Sequence, residues 1–338
     1  MIWRGLAGML LLVGSSAAQT YKPAAIEQAN LGVALSKKED YIDAVQAYKK
    51  ALALDPTLPN LYLNLGLAYF KQGDFPQALA AFQKEPASDR TVTLIGMSQF
   101  GLGQYKQAAA TLQPLSESQP DNSELSYLLA KCHLWAGQYD QAMEMFRRLL
   151  VRDPDSAPVH MLMAEAMDAD DRQKEATEEF LAAVKANPKQ PEAHFGLGYL
   201  YFKQKMYPEA ERELQTELAN NPEHALSVAY LGDIMLRDGR RAQSLTMLKR
   251  AETLDNNLHV VHQDLGIYYQ EQSQLDLALH EFQEAVRTAP DNYDAHYRLA
   301  RIYKQMGQTA NAEKEFAIVQ KLHRKKDEEP LMRISGPQ

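Results

Sequence analysis

The stretch Leu61-Tyr62-Leu63-Asn64-Leu65-Gly66-Leu67-Ala68-Tyr69-Phe70, followed by Gly73-Asp74-Phe75 and then by Ala78 and Phe82, decides the fold. Tyr62, Leu65, Gly66 and Tyr69 fall at helical spacing and form one apolar stripe, whereas Gly73-Asp74 breaks the pattern, which predicts two short helices joined by a tight turn. Gly66 and Ala78 are small where the two helices of this hairpin approach closely, and Phe82 supplies the bulk between them.

Working outward, the same hairpin recurs. Gly32, Gly66, Gly96, Ala130, Ala164, Gly198, Gly232, Gly266 and Ala300 stand 34 residues apart, except for a 30-residue step from Gly66 to Gly96. A second ladder twelve residues on, at Ala44, Ala78, Ala108, Ala142, Ala176, Ala210, Ser244, Ala278 and Ala312, keeps step through the short interval too. Two ladders sharing one period and one deletion read as a stacked-repeat solenoid. A third ladder, Tyr48, Phe82, Leu112, Phe146, Phe180, Leu214, Leu248, Phe282 and Phe316, carries the bulky side chains. Pro56, Pro120, Pro154, Pro188, Pro222 and Pro290 are expected to end the second helix of their units, since proline cannot continue a helix but suits the first turn of the next. Glu85-Pro86-Ala87-Ser88-Asp89 in the short interval predicts a second helix that stops early, near Lys84, and Pro114 predicts a kink or an end near Leu112.

The run Tyr62-x-x-Leu65-Gly66-x-x-Tyr69, then Ala78 and Phe82 with a proline between repeats, resembles the tetratricopeptide repeat. The resemblance covers roughly residues 25–324 and implies an all-α, right-handed superhelical solenoid of about nine helical hairpins. It also implies a scaffold or peptide receptor without catalysis or cofactor. Arg241, Ser244 and Asn256 depart from the pattern in the seventh unit, where the family usually has an aromatic, an Ala and a Pro. The lysine and asparagine clamp that some family members use for a C-terminal carboxylate is not recognisable.

The chain has 338 residues, a hydrophobic content of 45% and a formal charge of −8. Removal of the first 18 residues with Arg4 leaves −9, so no polyanion-binding surface is implied and nucleic acid is not an expected partner. Residues 1–18 read as a secretory signal: Arg4, the apolar run Leu6 to Val13, then Gly14-Ser15-Ser16-Ala17-Ala18. Cleavage would leave Gln19 first, with 19–24 a lead-in, 25–324 the repeats and 325–338 a flexible tail. The apolar run is shorter than the ~20 residues a membrane span needs, so an exported, periplasmic or secreted protein without a stable span is expected. The single Cys132 allows no internal disulfide and reads as a small buried hydrophobe.

Chemistry-bearing motifs are few. Gly101-Leu102-Gly103 and Gly196-Leu197-Gly198 lack the third glycine and preceding strand of a nucleotide loop. His160, His194, His262 and His296 each precede a ladder residue by four, a packing position in this repeat. His259 and His262, one turn apart, with the equivalent His296, would be the set for a transition metal, but no metal site is assigned.

The more informative signal is a second stripe on the first helices. Residues three before each ladder position, one after it and four or five after it point away from the hairpin core, towards an inner groove. This face carries Met97, Phe100, Tyr127, Leu134, Trp135, Met161, Phe195, Tyr199 and Phe202, with Tyr230 just beside it. Apolar exposure of this extent marks a binding surface, unless the residues pack between neighbouring first helices. Asn30 and Asn64, in twin Asn-Leu-Gly sequences, resemble the asparagines by which some repeat proteins hold a peptide backbone. Asp233, Arg237, Asp264, Glu271, Arg298, Arg301 and Lys304 make the C-terminal part mixed-charge. The expected function is capture of a peptide or partner protein; the rival is a structural role in a cell-envelope or polysaccharide-export assembly.

Overall fold

The structure, a computed structural model, describes residues 21–323. The described residues form eighteen α-helices and no strand. They pair as α1 (Pro23–Lys37) with α2 (Tyr41–Leu54), α3 (Leu61–Lys71) with α4 (Phe75–Phe82), α5 (Asp89–Gly101) with α6 (Tyr105–Ser118), and α7 (Ser123–Trp135) with α8 (Tyr139–Arg152). The series continues with α9 (Ala157–Ala169) and α10 (Gln173–Ala186), α11 (Ala193–Lys203) and α12 (Tyr207–Asn220), and α13 (Ala225–Arg237) and α14 (Arg241–Leu254). The last pairs are α15 (His259–Glu271) with α16 (Leu275–Thr288) and α17 (Tyr293–Gln305) with α18 (Thr309–His323). The chain forms two compact units, the first holding α1 to α8 and the second α9 to α18. In each unit the second helix of a hairpin also packs on the first helix of the next. The predicted signal segment and tail lie outside the described residues.

Close approach explains the small-residue ladder. A Cβ on Gly66 would stand 2.5 Å from the Phe82 ring, one on Gly32 2.6 Å from Tyr48, and one on Gly266 2.5 Å from Phe282. Tyr48, Phe82, Phe146, Phe180 and Phe282 are all fully buried, so each hairpin is filled by one large side chain lying over one small one. Ser244, standing where the other units have Ala, is buried too, and its hydroxyl donates to the Gly232 carbonyl at 2.8 Å.

One backbone conformation repeats at every turn inside a hairpin. Glu39, Gly73, Gly103, Gly137, Asp171, Lys205, Gly239, Ser273 and Gly307 all have φ between 57° and 77°. The N–H of the following residue then donates to the carbonyl five back, as Asp74 does to Tyr69 at 3.0 Å and Met206 to Tyr201 at 2.9 Å. A left-handed residue just beyond a helix end turns the chain while satisfying carbonyls the helix leaves free.

The short interval behaves as its sequence predicts: α4 is eight residues long and ends at Phe82. Glu85 then folds back, its carboxylate accepting the Leu63 N–H at 2.8 Å, and Ser88 with Thr91 forms a capping box on α5. Pro114 departs from expectation, because α6 runs through it to Ser118. Pro114 and Ala110 are both exposed, so the carbonyl deprived of its helical donor faces water. The inter-repeat prolines each follow the last residue of a second helix by two, in the turn instead of in the next helix's first turn. Cys132 is fully buried in α7 and burial pushes its thiol up to about 12, so it behaves as a small apolar side chain.

Candidate binding surface

In the second unit the second stripe gathers into one aromatic cluster. Phe195 and Tyr199 on α11 stack with centroids 6.2 Å apart, and Tyr230 on α13 lies edge-on to Tyr199 at 5.3 Å and to Phe202 at 5.0 Å. The Tyr230 and Tyr199 hydroxyls are hydrogen-bonded to each other, and burial pushes both phenols up, Tyr230 well above the ordinary range. The Arg237 guanidinium stands 5.4 Å over the Phe202 ring, and Lys203, 5.7 Å over Tyr199, is paired with Asp168 at 2.5 Å. In the first unit Phe100, Tyr105 and Trp135 form a second cluster with centroids 5.2 to 5.4 Å apart, and the Lys131 ammonium lies near Phe100, Tyr127 and Trp135.

Exposure divides the stripe. Met97, Leu134, Trp135, Met161, Phe195 and Tyr230 are buried, Trp135 at only 4% exposure. Open ring surface is left at Phe100, Tyr127, Tyr199 and Phe202, which are half-buried. Asn30 is exposed and Asn64 half-buried. Sequence spacing finds the face but not this division, because burial here depends on the next repeat.

The histidines make a device that spacing alone did not disclose. His160 pairs with Glu179, His194 with Glu213, His262 with Glu281 and His296 with Glu315, Nδ1 to carboxylate at 2.6 to 2.8 Å, always nineteen residues on. In three of the four, Nε2 faces a backbone carbonyl six residues back: Pro188 at 3.1 Å, Asn256 at 2.9 Å and Pro290 at 2.9 Å. A repeat-to-repeat comparison contains the signal, since units without this histidine lack the glutamate: Gln28 goes with Ala47, Tyr62 with Ala81, Val92 with Thr111, Ser126 with Met145 and Val228 with Met247.

At His262 both ring nitrogens face acceptors, an arrangement that favours the imidazolium. Burial pulls its pKa down, but the Glu281 hydrogen bond, the Asn256 carbonyl and the Glu281 charge outweigh it and hold it above the ordinary value. Glu252, His262 and Glu281 bring ligand atoms within 4.8 Å of one another, the one such acid and histidine group among the described residues. Lys249 already bridges its two carboxylates, at 3.0 Å from Glu252 and 3.5 Å from Glu281, and a metal ion would have to displace that ammonium. His259, the other histidine of the expected set, is partly buried, and burial lowers its pKa.

Comparison with known proteins agrees with this architecture. Models described as tetratricopeptide repeat match residues 99–166 and 269–329 and residues 172–225, and one described as TPR repeat matches 32–73, together more than half of the chain. The chain belongs to the tetratricopeptide repeat family, a scaffold fold typical of protein–protein interaction. Among solved structures it resembles one from the Cut9–Hcn1 hetero-tetramer of the APC/C, with a TM-score of 0.60 and 13% identity over 88% of this chain and 73% of that one. A tetratricopeptide repeat protein from Parabacteroides merdae gives 0.51 at 15% identity, covering 83% of this chain and 99% of its own. PilF from Pseudomonas aeruginosa gives 0.53 at 20% identity, covering 61% and 94%. These likenesses concern the fold. No curated protein matches the sequence.

Proposed function

We propose that this protein is an exported, non-catalytic scaffold that captures a peptide or partner protein on the first-helix faces of its hairpins. The observation that carries the reading is the half-buried Tyr199 and Phe202, aromatic surface left open beside the charged side chains of α13 and α15. Rings held by neighbours yet open on one side are the usual anchors of an interface. Among the described residues no helix is long and apolar enough to cross a membrane. The test is a photo-crosslinkable phenylalanine at position 202, with a second at the exposed Lys185 on α10, in protein recovered from the exported fraction. A partner trapped from position 202 and not from 185, in protein whose N-terminal sequence begins at Gln19, is the expected outcome. Trapping from 185 alone would move the function to the second helices, and recovery of Met1 in a membrane fraction would overturn export by cleavage.

One observation favours contact through the second helices. In the first unit α6, α7 and α8 enclose an open cleft of about 1180 Å³, lined by Lys106, Gln113, His133, Glu144 and Arg148 among others. A cleft of that size could seat part of a neighbour in an envelope assembly, and a crosslinker at Gln113 distinguishes that role.

A further inference from the structure

Charges on the first helices of the second unit do not balance. Asp233 on α13 takes the Arg237 guanidinium at 2.5 and 3.1 Å, and Asp294 on α17 takes Arg298 at 3.0 Å and the Gln263 amide at 2.6 Å. Asp264 on α15 lies between these pairs, near enough for the charges of Asp233, Arg237, Arg298 and Asp294 to act on it. Three carboxylates therefore share two guanidinium groups, both committed to the other two. Asp264 is 3% exposed, and its Oδ2 is buried without a hydrogen-bond partner. A buried carboxylate oxygen without a hydrogen bond is among the costlier things a fold can keep, and one that no described residue satisfies is poised for a donor from outside.

We propose that Asp264, with Asp233 beside it, receives the guanidinium or ammonium of a basic side chain on a bound polypeptide. The proposal rests on the reading of the first-helix face as the binding surface and gives that face a chemical preference. Burial, reinforced by the charge of Asp233, pushes the Asp264 carboxyl well above the ordinary carboxylate range, as expected of an acid whose cation is missing. Tyr230 feels the charge of both carboxylates and touches Tyr199 and Phe202, so an apolar neighbour of the basic residue would meet the aromatic cluster while its charge reaches the acids. The Arg237 and Arg298 side chains, whose charges act on Asp264, are 50% and 33% exposed, so the group adjoins solvent-accessible surface.

The probe is a short blocked peptide of Gly, Ser and Leu with one central Arg, compared with the same peptide carrying Gln or Glu there, by fluorescence anisotropy on the full chain. The Arg peptide should bind about tenfold more tightly than the Gln peptide, the scale of one charge-assisted hydrogen bond, and the Glu peptide more weakly still. Asp264→Asn should abolish the preference while melting no lower than the wild type, since it keeps the side chain's shape and removes the acid whose Oδ2 the fold leaves without a partner. Equal affinity for the Arg and Gln peptides, a preference that survives in Asp264→Asn, or no binding of the Arg peptide at millimolar concentration would each overturn the inference. Tyr199→Ala separates the two readings. Weakening of all three peptides keeps the first-helix face as the binding surface even if charge selection fails, whereas unchanged binding removes the surface itself.

Discussion

At Lys205 the backbone adopts φ 60°, a conformation the repeat demands at this place and a side chain with a Cβ adopts reluctantly. Five of the nine equivalent positions are glycine, and Glu39, Asp171, Lys205 and Ser273 are the exceptions. Lys205 is exposed, so its side chain offers no burial in return. Lys205→Gly should therefore stabilise the second unit by about 1 kcal/mol, and Gly239→Lys should destabilise it by a similar amount. Thermal melts followed by circular dichroism check both, and shifts of the same sign for the two variants would contradict the turn argument. The packing glycines answer to a different constraint. A Cβ at Gly266 would meet the Phe282 ring at 2.5 Å, whereas one at Gly198 would meet Leu214 at 3.0 Å and the Ala210 carbonyl at 3.3 Å. Gly266→Ala should cost about 1–3 kcal/mol and Gly198→Ala clearly less, in urea denaturation monitored at the second unit. Both constraints were legible in the sequence, because the small residue and its bulky partner lie sixteen apart in one hairpin and the turn residue, glycine in five of the nine hairpins, sits between them.

Within four of the hairpins, a histidine and glutamate pair joins the first helix to the second by a polar contact. His262 and Glu281 are both buried, and the groups facing the ring are the Glu281 carboxylate, the Asn256 carbonyl and, further out, Glu252 with its Lys249 partner. Because the folded-state pKa lies above the ordinary 6.5, the imidazolium's contribution to stability is full below pH 6.5 and is lost as pH rises through the raised value. Melting temperatures of the wild type and His262→Gln between pH 5.5 and 8.5 should accordingly lie furthest apart at the acid end and converge as pH rises. A constant gap would show that the ring acts by shape alone. The pairing of each such His with a Glu nineteen residues on was written in the sequence, but it becomes visible only when repeats are aligned by their ladder. Pro114 shows the opposite case: local propensity predicts a break, and solvent at the exposed Ala110 carbonyl lets α6 continue to Ser118.

Across the whole molecule, the sequence tells which face of the first helices is apolar more readily than which residues on that face meet solvent. Trp135 looks like an anchor by spacing, yet it is packed against Phe100 and Tyr105 and retains 4% exposure, a fate set by side chains thirty or more residues away. Tyr199 and Phe202 occupy comparable places and keep open surface. Truncating a well-packed ring that belongs only to the fold lowers stability by roughly 3–5 kcal/mol, whereas truncating an aromatic anchor of an interface costs about 2 kcal/mol of binding, near thirty-fold in dissociation constant. Trp135→Ala should therefore lower the melting temperature strongly and change partner capture only as far as folding is lost. Tyr199→Ala and Phe202→Ala should each weaken capture about thirty-fold with a smaller change in melting temperature, and Lys185→Ala on α10 should change neither. Measured side by side, the four variants separate packing from recognition: if capture follows melting temperature in all of them, the open rings are packing residues and the binding surface lies elsewhere on the repeats.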